Sequence, residues 1–552
     1  MSQQLTHTVG SLLDEMARRY PDNEALVYHE RGLRYNYKQF NDTCRTIAKG
    51  LLRLGIKKGD NIAIWAYNVP EWVLLQFASA KIGAILVTVN TSYKSAELEY
   101  ILKQSDSTAL FMVGSFKDTN YVETLAGVVP ELAASEPGKL TSNTLAYLKN
   151  VIFIGQETPD GMLNFAGIIE MGEGVPDAEL DAIEATLGCH ETINMQYTSG
   201  TTGFPKGVML THYNIVNNGF NIGECMKLTE KDRLCIPVPF FHCFGCVLGV
   251  MACVTHATTM VPVEIFDPFK VLQTIEKEKC TGVHGVPTMF IAELEHTEFK
   301  NFDLTSLRTG IMAGSNCPIE VMKKVNSDMH ANEITIAYGQ TESSPVITQT
   351  RTNDALELRV ATVGRALPDV EVKIVDIETG AALPPGKQGE LCTRGYHVMK
   401  GYYKMPDETA RAIDSDNWLH TGDLAIMDEN GYCKITGRIK NMIIRGGENI
   451  YPREIEEFLY THPKVSDIQV YGVPDKKYGE QVMAAVILKK GMEMTEDEIR
   501  EFCKDRIANY KIPKYVKFVD GYPMTASGKI QKFKMREMAI KELQLEDMGE
   551  TA

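Results

Sequence analysis

Positive charge is scarce in this chain. Lysine and arginine total 57 against 72 aspartates and glutamates, a formal net charge of −15. Nucleic acid selects basic surfaces, so DNA and RNA are excluded as main partners. A cysteine framework is also missing. The 12 cysteines are scattered without the spacing of a disulfide scaffold, which fits a reducing compartment. The opening Met1-Ser2-Gln3-Gln4-Leu5-Thr6-His7 lacks the basic-then-apolar pattern of a secretory signal, and a cytoplasmic setting is expected. Neither internal repeats nor low-complexity tracts are present. From Leu234 to Val263 there is no Asp, Glu, Lys or Arg. That run is long enough to span a bilayer. Pro237, Pro239, His242, His256 and Pro262 interrupt it, so a buried strand, loop, helix and strand is expected instead, with no transmembrane segment.

The same run holds Cys235, His242, Cys243, Cys246, Cys253 and His256. Cys243-x-x-Cys246 has a zinc-like spacing, yet no second Cys or His pair follows at the distance a zinc finger needs. Cys246 and Cys253 fall on one face of an apolar helix, where cysteine behaves as a small hydrophobe.

With 552 residues the chain exceeds what one core accommodates. Hydrophobic content of 44% with 23% charged residues is that of an ordinary globular protein. Helices are expected over 9–19, 38–54 and 95–103, and another through Trp72, Leu75 and Ala78. Strands are expected at 25–28, 61–65, 84–89 and 108–113. This alternation implies βαβ units and a largely parallel sheet. Residues 121–190 give a weaker pattern and are expected to include surface loops. Short strands from Val370 to Arg394 around Pro384-Pro385-Gly386 indicate a small β-subdomain. The last hundred or so residues alternate in an α+β pattern, with a helix over 452–460, strands over 465–473 and 482–489, and a Thr495-x-x-Glu498 capping box.

The chemistry concentrates in Tyr197-Thr198-Ser199-Gly200-Thr201-Thr202-Gly203-Phe204-Pro205-Lys206-Gly207. Glycines let backbone N–H groups face an anion, the hydroxyls add donors, and Lys206 adds a point charge. Such a loop suits a polyphosphate. It is not a Walker A loop, because Lys206 precedes a glycine and not Ser or Thr. Further on, Gly310-Ile311-Met312-Ala313-Gly314-Ser315-Asn316 follows a strand. Another strand ends in Tyr338-Gly339-Gln340-Thr341-Glu342, at a sheet edge where open α/β sheets bind ligands. Three more motifs follow: Trp418-Leu419-His420-Thr421-Gly422-Asp423; Gly437-Arg438-Ile439-Lys440 with Arg445-Gly446-Gly447-Glu448; and Pro523-Met524-Thr525-Ala526-Ser527-Gly528-Lys529-Ile530.

In this order, over about residues 8–533, these motifs resemble the adenylate-forming superfamily of acyl- and aryl-CoA synthetases, peptide-synthetase adenylation domains and luciferases. The resemblance implies a large α/β domain, residues 1–439, with parallel sheets, helices and the small β-subdomain. A small α+β lid, residues 440–552, would pivot at Lys440. It also implies that Thr198, Ser199, Gly200, Thr201, Thr202, Gly203 and Lys206 hold the β- and γ-phosphates of ATP. Gly314, Ser315 and Asn316 would lie on the adenine side, where the family usually reads Gly-Gly-Ala-Pro. Tyr338 would stack on adenine, with Gly339 and Gln340 beside it, and Thr341 would contact the α-phosphate. Glu342, with Thr201, would hold Mg²⁺. Asp423 would bind the ribose hydroxyls, and Arg438 the ribose or phosphate. His242 would line the carboxylate site as a positioning residue. Lys529 would bridge carboxylate and α-phosphate, and Arg445, Gly446, Gly447 and Glu448 would meet coenzyme A.

The implied activity is ATP-dependent acid–CoA ligation through an acyl-adenylate. Amino-acid-activating relatives place an Asp after the aromatic segment at Phe240-Phe241, whereas His242-Cys243 follows here. The chain looks most like medium-chain fatty acyl-CoA synthetases of bacteria and mitochondria. Long-chain and aryl acids, and loading of a carrier protein, stay open, as does a homodimer.

Overall fold

A computed structural model describes residues 4–198, 205–314, 317–446, 448–504, 506–525 and 530–545. The chain divides into two compact units, Met1–Val372 with Thr393–Leu419, and Lys373–Cys392 with His420–Ala552.

In the first unit the expected alternation of strand and helix builds two large sheets. The opening helix Val9–Arg19 starts at a capping box, in which Thr8 and Ser11 bond each other's backbone N–H, and it buries Leu12, Leu13 and Met16. An eight-stranded sheet runs in the order Gly401–Tyr402, Lys206–Thr211, Thr192–Thr198, Ile85–Thr88, Asn61–Trp65, Ala109–Met112, Asn150–Phe153, Leu163–Asn164. From Thr192–Thr198 to Leu163–Asn164 its neighbours are parallel. Lys206–Thr211 folds back antiparallel on Thr192–Thr198, with Thr198 opposite Lys206. A nine-stranded sheet carries the parallel core Glu333–Gly339, Thr309–Met312, Gly282–Gly285, Arg233–Ile236, Thr259–Pro262, Glu24–Tyr28, with antiparallel strands at both edges. Strands buried on both faces need unbroken apolar runs, and Asn61–Trp65 and Ala109–Met112 are buried at every position.

The charge-free run supplies the two parallel neighbours Arg233–Ile236 and Thr259–Pro262 of that sheet. Between them lie Phe244–Met251, wound as a π-helix, and the α-turn Ala252–Thr255. This is the expected strand, loop, helix and strand. Among the described residues no helix is long and apolar enough to cross a membrane. The one correction is the winding. A π-helix closes i→i+5, so the seven-residue α-helical spacing that put Cys246 and Cys253 on one face does not hold. Both are buried all the same.

Residues 121–190 hold more regular structure than their pattern suggested. Helices Tyr121–Val128, Phe165–Glu173 and Asp177–Glu184 and strand Asn150–Phe153 lie there.

Val370–Val375, Gln388–Gly395, Leu419–Met427 and Cys433–Arg438 are successive neighbours in a four-stranded sheet, the expected β-subdomain. The second unit carries a five-stranded sheet in which Gly479–Leu488 is central, antiparallel to Val465–Asp475 and parallel to Tyr515–Phe518. Side chains alternate across it. Val482, Ala484 and Val486 join one core with Ile455, Leu459 and Ile499, while Met483 and Ala485 join another with Tyr522, Met535 and Ala539. Val465 shares a core with Ile468 despite its odd number, because the register shifts between Val465 and Asp467.

Candidate active site

The phosphate-loop positions Ser199, Gly200, Thr201, Thr202 and Gly203 lie outside the described residues, as do Ser315, Asn316, Gly447 and Lys529. The antiparallel ladder on either side of the expected phosphate loop pairs Thr198 with Lys206. Met524 bridges Ile530, and the Gln531 N–H donates to Pro523 O at 2.8 Å, on the two sides of the undescribed residues 526–529.

Lys206 pairs with Glu408, and its ammonium lies 5.1 Å from the centroid of the Tyr402 ring. Glu408 also meets Arg411. The Lys206 cation holds the Glu408 carboxyl below the usual carboxylate range.

Tyr338 and Gly339 end the strand Glu333–Gly339, and Gln340 opens the 3₁₀ turn Thr341–Ser343. That turn is braced on several sides. Ser343 Oγ donates to Pro345 O at 2.6 Å and Ser344 Oγ to His397 O at 2.6 Å. Asn218 takes the Val346 N–H at 3.0 Å and donates to Val346 O at 2.9 Å, which ties the strand after the turn to the helix after Lys206–Thr211. Glu342 is fixed at both ends: Met399 N–H donates to its carbonyl at 2.9 Å and Tyr402 OH to its Oε1 at 2.9 Å. Gly314 lies just past strand Thr309–Met312, exposed and in the left-handed region at φ 91°.

His242 precedes the π-helix and starts it, its carbonyl accepting the N–H groups of Gly245 and Cys246 at 2.8 and 3.2 Å. The Phe244 N–H donates to His242 Nδ1 at 3.1 Å, so a neutral ring carries its proton on Nε2. Cys243 Sγ lies 3.8 Å from Thr341 Oγ1. The fold therefore sets the expected carboxylate wall beside the residue expected at the α-phosphate. Cys246 Sγ instead takes an N–H from Gln196 at 3.2 Å. Burial pushes the Cys246 and Cys253 thiols well above their ordinary range, which suits inert hydrophobes.

In the second unit Asp423 is buried, and its Oδ1 lies 2.6 Å from Arg438 Nε, directly across the ladder. The turn before it is pinned: Thr421 Oγ1 donates to Leu391 O at 2.7 Å, and Gly422 N–H donates to Glu390 Oε1 at 2.9 Å. Glu390, Cys392 and His420 have ligand-type atoms within 4.8 Å of one another. His420 Nδ1 meets Glu390 Oε2 at 2.8 Å. Lys440 is exposed in the turn Ile439–Asn441. Arg445 lies 4.8 Å above the Tyr478 ring and donates to Gln481 Oε1 at 2.7 Å. Gly446 holds φ 61°, and a Cβ there would sit 3.1 Å from Tyr478 Cδ1, so glycine is favoured on both counts. Glu448, opposite Arg445 in the hairpin, is exposed.

Sequence reasoning missed Tyr402, Glu408, Asn218 and Glu390. No local pattern marks them, since each acts on a residue far away in the chain.

This arrangement has known counterparts. Residues 13–403 match the AMP-binding enzyme family and residues 454–529 the AMP-binding enzyme C-terminal domain, so the chain belongs to the AMP-binding enzymes. Within them it is an AMP-forming acid–thiol ligase. It is 59% identical to the Bacillus subtilis protein named acyl-CoA synthetase YngI, over 98% of each chain. It is 43% identical to the Bos taurus mitochondrial medium-chain acyl-CoA ligase ACSF2, over 98% of this chain and 88% of that one. The solved anthranilate CoA ligase AuaEII in complex with anthranoyl-AMP superposes with a TM-score of 0.84 at 26% identity, over 98% of this chain and 99% of that one.

Proposed function

We propose that the enzyme joins a medium-chain fatty acid to coenzyme A in two steps at one nucleotide site. A carboxylate oxygen attacks the α-phosphorus of ATP, pyrophosphate leaves, and an acyl-adenylate remains. The thiol of coenzyme A then attacks the acyl carbon, its proton is lost, and acyl-CoA and AMP are the products. The observation that carries this reading is the 3.8 Å approach of Cys243, next to His242, to Thr341, which this reading assigns to the α-phosphate.

In this reading Lys206, Thr198 and the loop between them bind the β- and γ-phosphates. His242 orients the carboxylate, its proton on Nε2 and its Nδ1 held by Phe244. Asp423 takes the ribose hydroxyls, with Arg438 against it. Lys529 offsets the repulsion between carboxylate and α-phosphate, which lowers the barrier as the new bond forms. Arg445, Gly446, Gly447 and Glu448 meet coenzyme A, and Lys440 is the pivot of the lid.

Magnesium prefers oxygen ligands and one or two carboxylates. The Glu342 carboxylate, oriented by the Tyr402 hydroxyl, is an oxygen ligand that fits it. Glu342 and Thr201 would hold the ion, which would neutralise phosphate charge. The fatty-acid preference is supported by the charge-free, buried segment around the π-helix and by the name of the mitochondrial relative. A cytoplasmic setting is part of the proposal.

The test is AMP release, with and without coenzyme A, across straight-chain acids of increasing length and aromatic acids. Medium straight chains should give the highest kcat/KM. A maximum on benzoate-type acids would overturn the substrate assignment, and release indifferent to coenzyme A would overturn the ligase.

A further inference from the structure

Tyr402 stands between the two charged groups of the nucleotide site. Its backbone has little freedom. Gly401–Tyr402 is the edge strand on Lys206–Thr211, with Tyr402 opposite Val208, and the flanking Lys400 and Tyr403 N–H groups donate to Met209 and Gly207 carbonyls at 3.0 and 2.8 Å. Its own N–H donates to Thr409 Oγ1 at 2.9 Å. These bonds hold the Tyr402 backbone on the Lys206–Thr211 strand.

One face of the phenol takes the Lys206 cation at 5.1 Å, an attraction by the ring quadrupole. Glu408 is ion-paired to the same Lys206 cation. The phenol's hydroxyl donates to Glu342 Oε1 at 2.9 Å. A neutral donor orients a carboxylate without cancelling the charge that attracts a cation. Met399, three residues before Tyr402, fixes the Glu342 backbone carbonyl at 2.9 Å. One short segment therefore sets both ends of Glu342.

We infer that Tyr402 is a positioning residue for Glu342: its hydroxyl locks the carboxylate into the rotamer that meets the divalent cation, and its ring ties that carboxylate to the strand that starts at Lys206. The inference rests on the reading of Glu342 as a metal-binding residue. Partners that orient metal-binding carboxylates typically change metal affinity roughly 10–100-fold when removed.

The experiment compares the parent enzyme with Tyr402→Phe, Glu342→Gln and the double variant. Tyr402→Phe keeps the ring and removes only the hydroxyl. Free Mn²⁺ is followed by EPR during titration in the presence of a non-cleavable ATP analogue, and the Mg²⁺ dependence and the acid and coenzyme A KM values are measured beside it. Tyr402→Phe should weaken Mn²⁺ binding roughly tenfold and leave the acid and coenzyme A KM values unchanged. The double variant should bind Mn²⁺ no worse than Glu342→Gln alone, because the tyrosine acts through the carboxylate. Parent-like Mn²⁺ affinity in Tyr402→Phe, with Glu342→Gln weakened, would overturn the inference and spare the reading of Glu342. Parent-like affinity in Glu342→Gln would overturn that reading itself. A Tyr402→Phe enzyme whose urea midpoint and every KM deteriorate together would reduce Tyr402 to a packing role and overturn the inference too.

Discussion

At the scale of single residues, the groups proposed to carry the chemistry divide between those announced by motifs and those announced by nothing nearby. Lys206, Glu342, Asp423 and Lys529 sit in runs of glycine, hydroxyl and charge that few structural tasks require. Tyr402 is one of 23 tyrosines and lies in no such run. Its contact with Glu342 exists because an edge strand returns to Lys206–Thr211, some two hundred residues earlier, and pairing at that separation leaves no local trace. Glu390 is similar: its carboxylate holds the Gly422 N–H ahead of Asp423 across two strands. Among the motif residues, Lys529 gives the sharpest prediction. Lys529→Ala should slow adenylate formation by about 10²–10³ while thioester formation from supplied acyl-adenylate persists, the scale expected for losing one preorganised charge. Pyrophosphate exchange and a single-turnover thioester assay read the two steps separately. Equal losses in both would show that Lys529 does not act on the first step alone.

Elements were legible where apolar period and burial agree. Val9–Arg19 and Asn61–Trp65 fall where the pattern put them, since each carries its own periodicity and end signals. Phe165–Glu173 was missed for a physical reason. It packs on Tyr37–Arg53 through backbone: a Cβ on Gly50 would lie 1.9 Å from Ile168 O, and one on Gly172 lies equally close, 1.9 Å, to Thr46 O. Such an interface needs absent side chains, so hydrophobic period does not reveal it. Gly50→Val should therefore force the two helices apart and cost about 1–3 kcal/mol or more of stability, read as a lower urea midpoint with an unchanged slope. A midpoint equal to the parent's would mean the close approach carries no weight. The π-helix escaped for a different reason. Its composition is that of any apolar helix, and only Gly245 and Gly249 hint at close packing, against Pro239 O and Ile236.

Over the whole molecule, the buried titratable groups set how stability follows pH. His212, His284 and His397 are buried, and burial lowers them to about 3, 4 and 3, with Lys58 adding to the shift at His212. Their folded values lie below the unfolded value near 6.5, so as pH falls below that point the unfolded chain binds protons that the folded chain refuses. Each imidazole then removes about 1.4 kcal/mol of stability per pH unit, until its folded value is reached. Glu293 opposes them with one proton, since burial holds its carboxyl protonated well above the usual range. The net expectation is a urea midpoint that drops between pH 6.5 and 5, before ordinary carboxylates titrate. A flat midpoint across that window would contradict the burial of these imidazoles as neutral rings. The proposed activity is a different matter, two bond exchanges in succession. The most direct measurement is the fate of the acid's own oxygen. With a medium-chain acid labelled in its carboxylate by ¹⁸O, together with ATP and coenzyme A, mass spectrometry should find one ¹⁸O in the phosphate of AMP for each thioester formed. Label in pyrophosphate, or AMP free of label, would contradict attack of the carboxylate on the α-phosphorus.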